Sequence, residues 1–271
     1  MKLQAAILDW AGTVVDHGSR APMGAFVRAF GEFGVAISIA DARGPMGMAK
    51  WDHIRAVGQA PAVAATWRAK HGRDFNEADV DAIFRVFEPM NVAAVRDHAD
   101  LIPGAVEAIA ALRARGLRIG ATTGYTRTIM QELAPLAAAA GYAPALTVCA
   151  GDLPAGRPSP LMMWYAMAML GVWPAATVVK ADDTAPGIGE GLAAGTWTVG
   201  VTLTGNEVGL SAEELAGLSE AERAAHRARA GAVLTAAGAD FVIDSIAELP
   251  AVVAAIDARL AAGERPGARP A

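Results

Sequence analysis

The acidic residues best placed to do chemistry follow directly on apolar runs of the sequence. Asp9 ends the run AAIL and precedes a turn containing Gly12, so its carboxylate would lie where a first strand ends. A carboxylate in that position can attack an electrophilic phosphorus and carry the acyl phosphate that results. Taken alone, a role as a turn or helix cap explains Asp9 equally well.

Two further acids, Asp182 and Asp183, adjoin each other after the run ATVVKA. Neighbouring carboxylates repel each other unless a cation holds at least one of them, and Mg²⁺ prefers hard oxygen ligands of this kind. With Asp9 also contributing, the pair predicts a magnesium site. An alternative leaves Asp182 directed to solvent.

Two other places in the sequence indicate anion binding. Thr123 precedes Gly124 at a predicted helix start, where free backbone N–H groups and the helix dipole favour a phosphate. Arg157 lies in a loop bounded by Gly and Pro, and its planar guanidinium can hold two phosphate oxygens at once. The alternatives are a simple helix cap for Thr123 and an exposed loop arginine for Arg157.

Lysine is rare in this chain, which has four lysines against nineteen arginines. Lys50 stands between PMGMA and WDHIRA, where Met46, Met48 and Trp51 could desolvate its ammonium and lower the pKa of that group toward neutrality. A neutral lysine amine can condense with an aldehyde to form an imine. The alternative is a surface lysine whose stem lies on apolar neighbours.

The elements that would position these residues alternate between strand and helix. Six short apolar runs precede helical patterns and predict a parallel sheet covered on both faces: AAILDW, LRIGATTG, ALTVCAGD, ATVVKADD, WTVGVT and FVID. Ligands bind such sheets at the carboxyl ends of the strands. Residues 21–98 interrupt the alternation with helical stretches, so we expect an inserted helical unit.

Helix boundaries can be predicted at three places in the remaining sequence. A Pro-first, Gly-last pattern indicates a helix from Pro103 to Gly116. The pattern S-x-x-E occurs at Ser211 and again at Ser219, and it predicts a helix start at each.

Composition narrows the classes of protein to consider. The net charge is −5 without a long basic run, which argues against a nucleic-acid partner. The single cysteine, Cys149, cannot form an intramolecular disulfide, which favours a cytoplasmic location. Pro and Gly break both long uncharged stretches, residues 133–151 and 158–179, so no membrane span is expected.

Taken in order, DWAGTVVD, TTGYTR, PAGRPSP and KADDT resemble the four signature motifs of the haloacid dehalogenase superfamily. The resemblance implies an α/β fold with a Rossmann-like core, formed by residues 1–18 and 99–271 around a parallel sheet. It also implies an inserted all-helical cap of the C1 type, residues 19–98. Residues 264–271 are expected to form a flexible tail.

The same resemblance assigns chemical roles. Asp9 would be the nucleophile, and the phosphate ligands would be Thr123, Gly124 and Arg157. The implied cofactor is Mg²⁺, held by Asp9, the backbone carbonyl of Ala11 and Asp183. Many members of the superfamily carry another acid at the position of Gly187, and its absence argues against a larger acidic metal cluster.

Ala11 is the most informative departure from the superfamily pattern. Phosphatases of the superfamily usually have a second Asp there, which protonates an oxygen leaving group. Cleavage of a carbon–phosphorus bond instead expels a carbanion, which an adjacent iminium can stabilise. The stretch GPMGMAKWDHIRAV resembles the cap signature of superfamily members that cleave such bonds through a Schiff base.

This second resemblance implies that Lys50 forms the imine, that Met46 and His53 line the cap side of the site, and that the chain forms a homodimer. His53 could shuttle protons, and Tyr125 is expected to contact the substrate or the cap. The expected activity is hydrolysis of a small aldehyde phosphonate. The alternatives are another phosphatase of this fold and a catalytically silent protein that binds phosphorylated metabolites.

Overall fold

The computed structural model describes residues 1–267, and its centre is a six-stranded parallel sheet. The strands are β1 Ala5–Leu8, β2 Arg118–Thr126, β3 Leu146–Ala150, β4 Val178–Asp182, β5 Trp197–Val201 and β6 Phe241–Ile243. Every residue of β1, β4 and β5 is buried, as expected for strands covered by helices on both faces. All six predicted strands are therefore confirmed.

The order of the strands places three of their carboxyl ends together. β1 lies between β2 and β4 in the order β3-β2-β1-β4-β5-β6. Leu8 of β1 is level with Ala121 of β2 and with Ala181 of β4. Because the strands are parallel, the residues that follow these positions emerge at one edge of the sheet, where such folds bind ligands. The fold is the predicted Rossmann-like α/β architecture.

Helices cover the sheet and form a separate segment between β1 and β2. They are α1 Ala21–Glu32, α2 Ile39–Arg43, α3 Lys50–Gln59, α4 Pro61–His71, α5 Glu77–Arg96, α6 Ala105–Ala114, α7 Arg127–Ala139, α8 Leu161–Leu170, α9 Ala185–Ala194, α10 Ala212–Ala216, α11 Glu220–Ala236 and α12 Leu249–Ala261.

Capping explains where several helices begin. Ser211 and Ser219 cap α10 and α11, and each hydroxyl accepts a hydrogen bond from the backbone N–H of the glutamate three residues later. Both predicted capping boxes are confirmed. The helix predicted from Pro103 to Gly116 is slightly shorter, because Gly104 serves as its N-cap with a left-handed backbone.

The inserted helices and the sheet have separate apolar cores. Helices α1 to α5 pack around one cluster that includes Phe26, Phe30 and Phe87, whereas the largest cluster lies against the sheet. We call residues 21–96 the helical cap. The structure assigns no strand to any of them, and the exact division of the chain at residues 19 and 98 stays a prediction.

The chain end was expected to form a tail from residue 264. Glu264 pairs with Arg259 at 2.7 Å, and the Gly267 N–H donates to an Asp240 oxygen at 2.9 Å. Residues 268–271 of the predicted tail lie outside the described residues. Among residues 1–267, no helix has the length and apolar character that crossing a membrane requires.

Candidate active site

The strand ends bring the predicted nucleophile and phosphate ligands to one cavity. Asp9 follows β1, and its backbone N–H donates to the Ala181 carbonyl at 3.0 Å, which ties it to the neighbouring strand. Asp9, Thr123, Gly124 and Arg157 all line this cavity. The order of the strands, rather than closeness in sequence, therefore assembles the site.

The prediction that Thr123 lies at a helix start is wrong. β2 continues through Thr123 to Thr126, with a shift of register between these two residues, and α7 begins only at Arg127 with Thr126 as its N-cap. The Thr123 hydroxyl instead accepts a hydrogen bond from the Tyr125 backbone N–H at 3.1 Å. Thr123 therefore faces the cavity from a strand.

Arg157 is buried, so the alternative of an exposed loop arginine is excluded. Its Nη2 donates to Asp9 Oδ1 at 2.8 Å and to the Thr122 carbonyl at 2.6 Å. The same nitrogen lies 3.3 Å from Asp182 Oδ2. Burial opposes its charge, but Asp182 and Asp9 outweigh that effect and raise the pKa of Arg157. The guanidinium thus remains a cation beside Asp9.

A buried ionic network surrounds Arg157, and two of its members, Lys180 and Glu190, were not predicted from the sequence. Glu190 of α9 accepts from Arg157 Nε at 3.1 Å and lies 3.3 Å from Lys180 Nζ. Lys180 also pairs with Asp182 at 3.0 Å and donates to the Thr122 hydroxyl at 2.7 Å. A lysine inside the apolar strand VVKAD was the available signal, because a buried lysine requires a counter-charge.

Asp182 does not point to solvent, which corrects that alternative. Its side chain is fully buried, and its Oδ1 accepts from the Thr184 hydroxyl at 2.7 Å. Burial opposes ionisation of Asp182, but Arg157 and Lys180 together outweigh it and hold the pKa of Asp182 below its usual value. Asp182 is therefore an anion that Arg157 and Lys180 stabilise.

The Asp182 carboxylate also explains why residue 187 is a glycine. A Cβ atom on Gly187 would lie 2.0 Å from the Asp182 carboxyl carbon, so any side chain at this position would collide with it. The space that an acid at residue 187 would enter is thus filled by the acid at residue 182.

Asp183 has the surroundings of a metal ligand. Carboxylate oxygens of Asp9, Asp182 and Asp183 lie within 4.8 Å of one another, and all three residues are buried. Asp183 Oδ2 accepts from the Asn206 N–H at 2.8 Å, and Oδ1 from the Thr13 hydroxyl at 3.2 Å. Burial, followed by the charges of Asp9 and Asp182, raises the pKa of Asp183 well above its usual value.

A divalent cation would relieve this repulsion. Burial and then the charge of Asp182 also raise the pKa of Asp9, although Arg157 and Lys180 act in the opposite direction. Asp182 pairs with two cations, Asp9 with one, and Asp183 with none among the described residues, so Asp183 and Asp9 are the donors that fit a metal best. Hard oxygens in this arrangement suit Mg²⁺.

Lys50 reaches the same cavity from the helical cap. It is the first residue of α3 and only 3% exposed, so the alternative of a surface lysine is excluded. Its Nζ lies 3.7 Å from Met46 Sδ and 5.0 Å from the centre of the Tyr125 ring. Burial lowers the pKa of Lys50 to about 8, while Asp9 acts in the opposite direction. A substantial fraction of this amine is therefore neutral near physiological pH.

Met46 and His53 differ in their position relative to the cavity: Met46 is among its lining residues and His53 is not. Met46 lines the cavity beside Lys50. His53 is fully buried behind it, where its Nε2 lies 2.7 Å from the Ala42 carbonyl and its ring stacks on Phe26. Burial and the Lys50 charge lower the pKa of His53 well below its usual value. Its expected role in proton transfer stays a prediction.

Three residues of the helical cap line the cavity, namely Met46, Gly47 and Lys50. A Cβ on Gly124 would lie 2.6 Å from the Met48 carbonyl oxygen, so only glycine allows this contact between core and cap. Tyr125 and Ala11 line the cavity, as do Ser19 and Thr184, which the sequence analysis did not select. The free volume of the cavity is about 20 Å³, well below the roughly 300–1,000 Å³ typical of ligand sites.

A Rossmann-like core, a helical cap and an acidic site at the strand ends define the class of the protein. The model of the haloacid dehalogenase-like hydrolase family matches residues 3–195, and the chain belongs to this family of hydrolases.

Relatives that match over nearly the full length carry a more particular name. Phosphonoacetaldehyde hydrolase of Paraburkholderia phytofirmans is 52% identical over 264 residues, which cover 97% of this chain and 99% of the relative. The enzyme of the same name from Klebsiella pneumoniae is 51% identical and covers 98% of this chain and 99% of its own. A crystal structure of a phosphonoacetaldehyde hydrolase-like protein from Oleispira antarctica superposes with a TM-score of 0.97 at 42% identity, covering 98% of this chain and 96% of that one.

Proposed function

We propose that the chain hydrolyses the carbon–phosphorus bond of phosphonoacetaldehyde and yields acetaldehyde and phosphate, as a step in the degradation of 2-aminoethylphosphonate. The observation that carries the proposal is that the Lys50 amine and the Asp9 carboxylate line one small cavity. An amine can activate the aldehyde, and a carboxylate can accept the phosphoryl group. The names of the full-length relatives support the same substrate.

The first step uses the neutral amine of Lys50. Its nitrogen adds to the aldehyde carbon, and loss of water gives an imine that is protonated on nitrogen. This iminium lies one carbon away from the bond to phosphorus, so it can accept the electron pair of that bond. The lowered pKa of Lys50 supplies the free amine that this step requires.

The second step transfers the phosphoryl group. Asp9 attacks phosphorus, and the electron pair of the broken C–P bond forms the C=C bond of an enamine on Lys50. Thr123 and Arg157 hold the phosphonate oxygens as their charge shifts. Protonation of the enamine carbon and hydrolysis of the imine release acetaldehyde, while water cleaves the aspartyl phosphate. Because the leaving group is carbon, the site needs no acid at the position of Ala11.

We propose Mg²⁺ as the cofactor, held by Asp9, Asp183 and the backbone carbonyl of Ala11. When bound, the ion neutralises charge between the carboxylate nucleophile and the phosphonate. The buried carboxylates of Asp9 and Asp183, both with raised pKa values, support this assignment. Asp182 pairs with both Arg157 and Lys180 and Asp9 with Arg157 alone, whereas Asp183 has no cation within ion-pair distance among residues 1–267.

We further propose that the protein is a cytoplasmic homodimer. Trp164, Tyr165 and Met169 of α8 and the nearby Trp173 are exposed to between 44% and 78%, which is unusual for side chains of this size. The single cysteine leaves no partner for an intramolecular disulfide. Sedimentation equilibrium measurements test the oligomeric state, and a monomer at all concentrations would contradict it.

Borohydride trapping tests the reaction. Incubation with phosphonoacetaldehyde and borohydride should reduce the imine and leave a two-carbon adduct on the peptide that contains Lys50. The variant Lys50→Arg should give no adduct, whereas the control Lys70→Arg, which changes an exposed lysine of α4, should give the wild-type adduct. Wild-type protein that releases phosphate without an adduct at Lys50 would reject the imine. Phosphate release without any divalent metal would reject the metal role of Asp9 and Asp183.

A further inference from the structure

Arg43 connects the helical cap to the core, although it touches neither the cavity nor Lys50. It is the last residue of α2, and its Nη1 donates to the Asn206 carbonyl at 2.7 Å and to Asn206 Oδ1 at 3.1 Å. The same nitrogen donates to the Gly18 carbonyl at 3.1 Å, in the connection between β1 and α1. One guanidinium thus bridges the cap, this connection and a core loop.

The core loop in contact with Arg43 is residues 205–209, GNEVG, which we call the GNEVG loop. The GNEVG loop also contacts Asp183, because the Asn206 N–H donates to Asp183 Oδ2 at 2.8 Å. Asn206 is therefore bonded to the cap arginine through its oxygens and to the metal-site acid through its backbone nitrogen.

Both glycines of the GNEVG loop are explained by these two contacts. A Cβ on Gly205 would lie 2.5 Å from Asp183 Cβ, and a Cβ on Gly209 would lie 2.4 Å from Arg43 Cζ. Gly209 also has a φ of +71°, which few other residues adopt. The loop therefore fits closely between the cap arginine on one side and the metal-site acid on the other.

The hydrogen bonds of Arg43 depend on how the cap sits on the core. Burial lowers the pKa of Arg43, which means that the guanidinium loses hydration in this position. Among the described residues no carboxylate lies within ion-pair distance of it, and its acceptors are neutral oxygens of the core and of the connection to the cap. Movement of the cap away from the core would break the contacts to Asn206, and water would then solvate the arginine.

We propose that Arg43 is a positioning residue that couples docking of the cap to the orientation of Asp183. When the cap lies on the core, Arg43 fixes the GNEVG loop, and the Asn206 N–H then holds Asp183 Oδ2 in place for the metal. This inference rests on the proposed function for the role of Asp183 as a metal ligand. Outer hydrogen bonds of this kind typically change metal affinity or activity by about tenfold or more.

The test measures binding of Mn²⁺, used in place of Mg²⁺ and detected by electron paramagnetic resonance, with and without saturating inorganic phosphate. Arg43→Ala should raise the Mn²⁺ dissociation constant by about tenfold in at least the phosphate-bound form. Arg43→Lys, which keeps one donor, should show a smaller increase. Unchanged Mn²⁺ affinity in both forms of Arg43→Ala would overturn the proposal.

Arg96→Ala is the matched control. Arg96 lies at the end of α5 and pairs with Glu132 of α7 at 2.7 Å, so its loss also removes a contact between cap and core. This pair does not touch the GNEVG loop, and we expect wild-type Mn²⁺ affinity. Hydrogen–deuterium exchange should be faster at the Asn206 amide in Arg43→Ala and unchanged there in Arg96→Ala. Equal loss of affinity in both variants would mean that any weakening of cap docking suffices, which also overturns the specific role of Arg43.

Gly209→Ala keeps the proposal testable if Arg43→Ala does not fold. The added Cβ should displace the guanidinium and reduce Mn²⁺ affinity in the wild-type background, and it should have a smaller effect in the Arg43→Lys background. Additive effects of the two changes on Mn²⁺ affinity would contradict the coupling. Borohydride trapping distinguishes the two proposals. If no adduct forms on Lys50 but Arg43→Ala still weakens Mn²⁺ binding, only the proposed reaction is rejected. If the adduct forms and Arg43→Ala binds Mn²⁺ like the wild type, only the proposed coupling is rejected.

Discussion

Lys50 of the helical cap and Asp9 of the core face the same cavity, and Asp9 is the charge that most favours protonation of the lysine. Burial nevertheless outweighs this attraction and lowers the pKa of Lys50 to about 8. The cavity therefore holds a carboxyl group together with an amine whose pKa is lowered toward neutrality.

The pH dependence of kcat/KM should follow the titration of Lys50. In the proposed reaction only the free amine attacks the aldehyde, so kcat/KM should rise roughly tenfold per pH unit at low pH and level off near the pKa of about 8. Steady-state assays between pH 6 and 9 would measure this. A profile that is flat over the whole range would contradict a chemical step that depends on neutral Lys50.

Replacement of Glu190 should destabilise the folded protein. Glu190→Gln removes a negative charge shared by Arg157 and Lys180, and breaking such a buried arrangement costs about 3–5 kcal/mol. Urea denaturation followed by circular dichroism would measure the loss. The double variant Lys180→Met with Glu190→Gln should cost less than the sum of the single changes, and strict additivity would argue against the pairing.

Gly187→Ala should impair both stability and activity. Its new Cβ would start 2.0 Å from the Asp182 carboxyl carbon, which must move and release Arg157 or Lys180. Gly31→Ala in α1 is the matched control, since no atom lies within 4 Å of its added Cβ, and it should stabilise the protein by about 0.5–1 kcal/mol. Thermal unfolding and phosphate release compare the two variants, and wild-type behaviour of Gly187→Ala would contradict the steric explanation.

Removal of the proposed metal should lower the melting temperature of the wild-type protein, because a cation bound to the folded state would relieve repulsion among the buried acids. Asp183→Asn should abolish this effect of Mg²⁺. In the metal-free state it should also melt about 3 °C above the wild type, since one of the repelling carboxylates is gone. Scanning calorimetry with EDTA and with Mg²⁺ would measure both differences, and an equal response of the two proteins to Mg²⁺ would argue against Asp183 as a ligand.

The sequence by itself determined the sheet and the identity of its chemical residues. The six strands could be predicted because each is a short apolar run that ends in a polar residue, as buried parallel strands require. The capping boxes at Ser211 and Ser219 depend on residues three positions apart, so local chemistry was sufficient there. The motifs around Asp9, Arg157 and Asp183 also stood out as short local patterns.

Tertiary structure alone decided which charges meet. Lys180 and Glu190 lie on different elements, and nothing in their local sequence indicates that both contact Arg157 or its partners. The predicted helix start at Thr123 failed because pairing with β3 extends β2 beyond the local turn signal. Burial and pKa values depend on neighbours that the fold brings together, and so does the fit of Gly187 against Asp182. The spacing of residues in the sequence does not determine the distances between these neighbours.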